Sequence, residues 1–377
     1  MVMHMRSVLR RASGSRMASV AQRPRVSRMA RIPRMARSRR LILLFLALFV
    51  SLSLASTAGA ANPKHLFKVA TIAPQGSTWM TLMEELDRRV REETNGEVGF
   101  RFYPGGQQGS DLDVLRKMRS GQLQGGGIAG VGMGEIEPSM RILELPFMFN
   151  NTDELEAAHA ALDPIFAERL RARGYHLLGW AEVGFVYLFS QQPIRTADDL
   201  RAQKVWLWQG DPLAEALLDA IGVSPIPLDI TDVLISLQSG IVNTVYVTPY
   251  ACLSLQWFSR LKYRVDFPLT FSNGAVVLDG KTYDQLDESQ KEILNRIAAD
   301  VFSRLNQATR RQNEEAIAAM GEAKIQSLAP DPSAVAEFKQ IGTRVWDTLT
   351  GKLYDKELLD RLIAVVNQAR SGQGAVR

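Results

Sequence analysis

The sequence predicts an α/β protein, and three observations at the start of its globular part carry that prediction. Residues 67–72 read as a strand that runs into a Pro/Gly break. The next sixteen or so residues have a single apolar face, and residues 98–103 then alternate with a period of two.

Taken in order, each element has a local cause. After the break at 73–76, Ser77 is placed to cap a helix whose Trp79, Met83, Leu86 and Val90 share one face. Asn95-Gly96 stops it. Val98, Phe100 and Phe102 alternate with Gly99, Arg101 and Tyr103 as a strand. A second helix carries Leu112, Leu115 and Met118 in register and closes at Gly121. Gly125-Gly-Gly127-Ile-Ala-Gly130 matches G-x-G-x-x-G literally. It reads as a strand whose small residues admit a close neighbour, rather than as a nucleotide loop. Residues 175–180 and 184–189 are predicted as two strands, and 204–208 as a third. Asp211 and Pro212 then suit the cap and first position of a helix. Thr231 is predicted to cap a helix ending at Gly240, with a strand at 241–247. Asp287 and Gln290 form a capping-box pattern. The stripe Ile293, Leu294, Ile297, Val301, Phe302 and Leu305 then predicts one long helix to about Gly321. The tail 371–377 is expected to be disordered.

The first forty residues are different in kind. They contain twelve arginines and no lysine or acid, and an apolar run at 41–54 follows, then Ala58-Gly59-Ala60. This is the pattern of a secretory leader over residues 1–60, cleaved before Ala61. The apolar run is shorter than the roughly 20 residues that span a bilayer. Residues 1–34 are surplus to a signal that could start at Met35. Arg39-Arg40 leaves the choice between general and twin-arginine export open. The expected location is the periplasm. The whole chain is formally +5, but without the leader arginines 33 basic residues face 40 acidic ones, a net of −7. No basic patch then argues for nucleic acid.

Cys252 is the only cysteine, so no intramolecular disulfide can form, and only His65, His159 and His176 survive the leader. Their spacing offers neither a metal site nor a Cys–His nucleophile, so no metal, cofactor or catalytic residue is expected. Glu182 is the best lone acid among apolar neighbours but has no evident partner in the sequence.

Further motifs run through the chain in order: 94–97 (Thr-Asn-Gly-Glu), 103–109 (Tyr-Pro-Gly-Gly-Gln-Gln-Gly), 145–149 (Leu-Pro-Phe-Met-Phe), 196–200 (Thr-Ala-Asp-Asp-Leu) and 237–243 (Leu-Gln-Ser-Gly-Ile-Val-Asn). With them the chain, over roughly residues 66–345, resembles the substrate-binding subunits of tripartite ATP-independent periplasmic (TRAP) transporters, the DctP family. The resemblance implies a two-lobed periplasmic binding protein with a long lobe-spanning helix. Lobe I would be 62–183 with 272–311, and lobe II 184–271 with 312–370. It also implies the transporter's membrane subunits as partners, and a periplasmic helical-repeat protein as a further one.

Members of the family hold organic acids through an arginine on the strand matching 204–208, where this chain has Trp206. A second family arginine corresponds to Val186. The stretch that usually supplies an amide reads Asn243-Thr-Val-Tyr246-Val247, with Val247 at the amide position. The replacements are apolar or aromatic, and they leave the cleft without a buried cation. The expected ligand is therefore small and apolar or amphipathic, contacted by Trp206, Trp208, Val186, Tyr246 and Val247. Gln209 would add a polar contact, and Ser77, Thr78 and Trp79 would reach it from a helix N-terminus. The competing reading puts the tryptophans in the lobe-two core. Two alternative functions stay open: a free-standing periplasmic lipid carrier, and an organic-acid binder with an atypical site.

Overall fold

The computed structural model describes residues 63–374, so the leader lies outside the described residues. Strand β1 (His65–Thr71) pairs in parallel with β2 (Val98–Tyr103) and β3 (Gly125–Ala129), with helices α1 (Thr78–Glu93) and α2 (Asp111–Arg119) as the crossovers. This is the predicted strand–helix–strand rhythm. Ser77 caps α1 as expected, accepting from the Met80 N–H. Leu112, expected on the buried face of α2, is instead 41% exposed. Val114 takes the inward position beside Leu115 and Met118.

Helix α3 (Gly130–Ile136) and a 3-10 segment (Pro138–Glu144) lead to α4 (Thr152–Ala172). The two strands expected at 175–180 and 184–189 are one, β4 (Tyr175–Ser190), paired antiparallel with β9 (Thr270–Asp279). The register shifts between Glu182 and Gly184, and this bulge is what reads as a break in the sequence. Gly184 has φ +118°, and a Cβ there would meet the Asn313 amide at 2.6 Å, so only glycine fits.

Strands β4 and β9 carry the chain from one half of the sheet to the other. In the first half the order is β4-β9-β3-β1-β2. In the second, the end of β4 holds β7 (Thr244–Val247) on one side and β8 (Tyr263–Val265) on the other, with β10 (Gln326–Leu328) beyond β8. A separate pair, β5 (Trp206–Trp208) and β6 (Ile226–Leu228), bridges to β7 through Val205 and Thr244. Between these strands lie α5 (Ala197–Arg201), α6 (Pro212–Ile221), α7 (Val233–Ser239) and α8 (Pro249–Ser254), and the short α9 (Gly280–Asp284) follows β9. Thr231 does not cap α7. It sits inside a 3-10 turn, Ile230–Asp232, that runs straight into the helix, and the cap position falls to Asp232, whose side chain makes no cap hydrogen bond.

The long helix is present as α10 (Glu288–Glu322), 35 residues, opened by the expected Asp287–Gln290 capping box. Its stripe of Leu294, Ile297, Val301, Phe302 and Leu305 packs with Phe67, Leu86 and Val90 of the first half. Further on, its Met320 joins Phe189, Val245 and Trp257 in the core of the second half. The helix thus belongs to both lobes, and the fold is two-lobed α/β. Helix α11 (Pro332–Leu349) lies on α6, and α12 (Lys356–Gly374) packs along α4. The tail expected to be disordered from Ser371 is still helical to Gly374, because each added residue of a formed helix gains its own hydrogen bond.

One buried acid in the first lobe makes stability depend on pH. Asp111 is 6% exposed and accepts the Ala129 N–H at 2.9 Å, and burial pushes its pKa up from 3.8 to about 6. Between those values the folded state holds more protons than the unfolded one, so stability falls as pH rises through this window. The Asp111→Asn variant lacks this term. From pH 4 to pH 7 it should gain about 2 kcal/mol on the wild type. Urea denaturation of both proteins at the two pH values checks this, and a pH-independent gap contradicts it.

Candidate functional site

Between the two halves lies a cavity of about 600 Å³. The first half contributes Ser77, Trp79, Gly127, Ile128, Arg141 and Glu144 to its wall. The second contributes Trp206, Trp208, Asp211, Tyr246 and Val247. Val186, on the crossing strand β4, is 5% exposed and also faces it.

The aromatic wall is built on β5 and β7. Trp206 and Trp208 are two apart on one strand, with ring centroids 6.1 Å apart, and Tyr246 stacks on Trp206 at 5.1 Å. Trp257 meets Trp206 edge-on at 5.2 Å from behind. Trp206 is 1% exposed and its indole N–H donates to the Leu228 carbonyl at 3.0 Å. The Trp208 backbone N–H donates to the Tyr246 hydroxyl at 2.9 Å, which ties the two strands at the cavity surface. Trp206 therefore belongs to the core and to the cavity wall at once.

The helix N-terminus behaves unevenly. Ser77 and Trp79 reach the cavity, but the Thr78 hydroxyl accepts from Gln312 of α10 at 2.7 Å and is not in the wall. Gln209 is exposed in the β5–α6 turn, also outside the wall, while Asp211 behind it turns inward to cap α6. The glycine run also has its explanation here. A Cβ at Gly127 would lie 2.8 Å from the Trp79 ring, and one at Gly130 would overlap the Glu144 carboxylate.

The expectation of a cleft without a buried cation is wrong. Arg141, 4% exposed, lines the cavity, with Nη2 2.6 Å from Asp211 Oδ1 and Nη1 3.0 Å from Glu144 Oε2. Its Nε has no hydrogen-bond acceptor in the protein. The sequence carried a signal: Arg141 stands alone between Met140 and Ile142-Leu143, one helical turn before Glu144. Burial works against the guanidinium's charge, but Asp211 and Glu144 more than offset it and hold it protonated. Burial also drives the Glu144 carboxyl up, and the nearby Asp211 adds to this against Arg141 and the Asn273 N–H. Tyr246 is held well above its ordinary range by burial and by Asp211.

Glu182 also has the partner that sequence reasoning could not see. Arg310 of α10 donates to both its oxygens, at 2.6 and 2.8 Å, and to Glu156 at 2.6 Å. The charged residues of the cavity wall are Arg141, Glu144, Glu182 and Asp211, one cation against three acids. Cys252 is buried and its thiol is driven far up by burial. Among the described residues no group of three or more His, Cys, Asp or Glu is placed to hold a metal, and no helix is long and apolar enough to cross a membrane.

A family model described as bacterial extracellular solute-binding protein, family 7 (DctP), matches residues 69–353. The C4-dicarboxylate-binding periplasmic protein of Rhodobacter capsulatus is 25% identical, covering 74% of this chain and 82% of that protein. The sialic acid-binding periplasmic protein of Vibrio cholerae is 20% identical over 79% and 95%. Three other relatives, including a solute-binding protein of Chromohalobacter salexigens, align over only 58%, 49% and 66% of their own length. Among solved structures, a Bordetella pertussis solute receptor binding pyroglutamic acid superposes with TM-score 0.74 at 16% identity, covering 80% of this chain and 99% of that one. The galactonate complex of a sugar acid binding protein from Advenella mimigardefordensis gives TM-score 0.75 at 17% identity, covering 82% and 100%. With the family model matching most of the chain and the two-lobed fold shared, the chain belongs to the DctP family of TRAP solute-binding proteins.

Proposed function

We propose that this chain is a periplasmic binding subunit that captures a small apolar or amphipathic molecule and delivers it to TRAP-type membrane subunits, without catalysis. One observation carries the reading. The cavity is walled by Trp206, Trp208, Tyr246, Val186 and Val247, and its one guanidinium is already held by two carboxylates. A free carboxylate entering such a wall loses several kcal/mol of hydration and finds only the Arg141 Nε–H unfilled, since Asp211 and Glu144 hold both Nη groups and Arg310 holds Glu182. Burying about 200 Å² of apolar ligand surface there contributes about 5 kcal/mol. The apolar term wins. Lobes of 62–183 with 272–311 and 184–271 with 312–370 closing on the ligand are part of the same proposal.

A second reading has its own support. The solved relatives bind acids such as pyroglutamic acid and galactonate, and Arg141 lines this cavity. Native mass spectrometry of the exported protein, followed by solvent extraction, separates the two. The expected result is an apolar co-purifying species. Recovery of a small dicarboxylate or sugar acid alone would sink the proposal. Adjacent genes for the membrane subunits would favour delivery to a transporter over a free-standing lipid carrier.

A further inference from the structure

We propose that Asp211 sets the charge of the ligand: from the second half of the molecule it occupies Arg141 of the first half, standing where the carboxylate of an acidic ligand would otherwise sit. The inference deepens the functional reading above and rests on the cavity being the ligand site.

The geometry supports it on three counts. Arg141 and Asp211 both line the cavity, and their 2.6 Å contact joins chain segments 70 residues apart. A guanidinium facing a cavity is a strong receptor for a carboxylate, because its planar fork offers charged, directed donors. Here one end of the fork is taken by Asp211 and the other by Glu144, both under 10% exposed. Asp211 does not lie there by accident of helix capping alone. Its Oδ1 accepts the Leu213 and Ala214 N–H groups at 3.1 and 3.2 Å, so the cap of α6 holds the carboxylate pointed at Arg141. Of the two acids Asp211 makes the shorter contact with the guanidinium, 2.6 Å against 3.0 Å for Glu144, and it is the one supplied by the opposite half of the molecule.

Removing that one charge should convert the site toward anions. Asp211→Asn keeps an amide oxygen to cap α6, since Asn caps as well as Asp. Affinities for octanoate and for 1-octanol are measured by titration calorimetry on the mature protein. The wild type is expected to favour 1-octanol, and in the Asp211→Asn variant the octanoate-to-octanol affinity ratio should rise at least tenfold. Asp211→Ser, a second uncharged cap, should repeat the rise, and Asp211→Glu should return the ratio toward the wild-type value. An unchanged ratio in both uncharged variants, with 1-octanol still bound by the wild type, overturns the role of Asp211 but not the apolar cavity. Absence of 1-octanol binding to the wild type overturns the functional reading and this inference with it.

Discussion

Replacing Arg141 with methionine should lower the unfolding free energy by about 3–5 kcal/mol, because it strands two buried carboxylates. Arg141, Glu144 and Asp211 are each under 10% exposed, so water reaches the two acids poorly once the guanidinium is gone. The loss should appear as a fall in Tm on the order of 5–10 °C. It should shrink as pH falls, since the freed carboxyls then take up protons and their repulsion ends. A triple variant carrying Arg141→Met, Glu144→Gln and Asp211→Asn should recover at least half of the deficit. Removing every charge of a buried cluster is far less harmful than removing one. Chemical denaturation of the single and triple variants is the check. Equal losses in both would mean that the methionine side chain, and not the orphaned charge, is at fault.

The second large effect belongs to Trp206. Trp206→Ala should cost about 3–5 kcal/mol of stability by opening a hole beside Trp257 and Tyr246. It also removes the indole N–H bond to the Leu228 carbonyl, which is left with only the Gln209 N–H at 3.3 Å. The same substitution should reduce the ligand retained through purification by at least tenfold, because Trp206 forms wall as well as core. Trp206→Phe restores a ring without the N–H and should recover most of the ligand while regaining only part of the stability. If Trp206→Ala unfolds more easily yet keeps its ligand in full, the residue is core alone.

What the sequence made legible was local. The capping box and apolar stripe of α10 and the strand at β2 each depend on residues within a turn or two of one another, and each was readable, though Gly99 of β2 is buried along with Val98 and Phe100. The aromatic pair on β5 was readable for the same reason, since side chains two apart on a strand share a face. What escaped was set by distant parts of the chain. Arg141 finds Asp211 across 70 residues, and Glu182 finds Arg310 across 128. No periodicity encodes such pairs. Gly184 misled for another reason: a bulge glycine and a strand-ending glycine look alike until Asn313 is seen packed against it. The core-or-cleft question for Trp206 was itself badly divided, because the residue both packs in the core of the second half and lines the cavity.

The central claim is that apolar surface, and not a carboxylate on Arg141, holds the ligand. A crystal structure of the protein purified with its native ligand tests this most directly. The ligand is expected against Trp206, Trp208 and Tyr246, with Arg141 still paired to Asp211. A ligand carboxylate seated on Arg141, with Asp211 displaced, would contradict the claim.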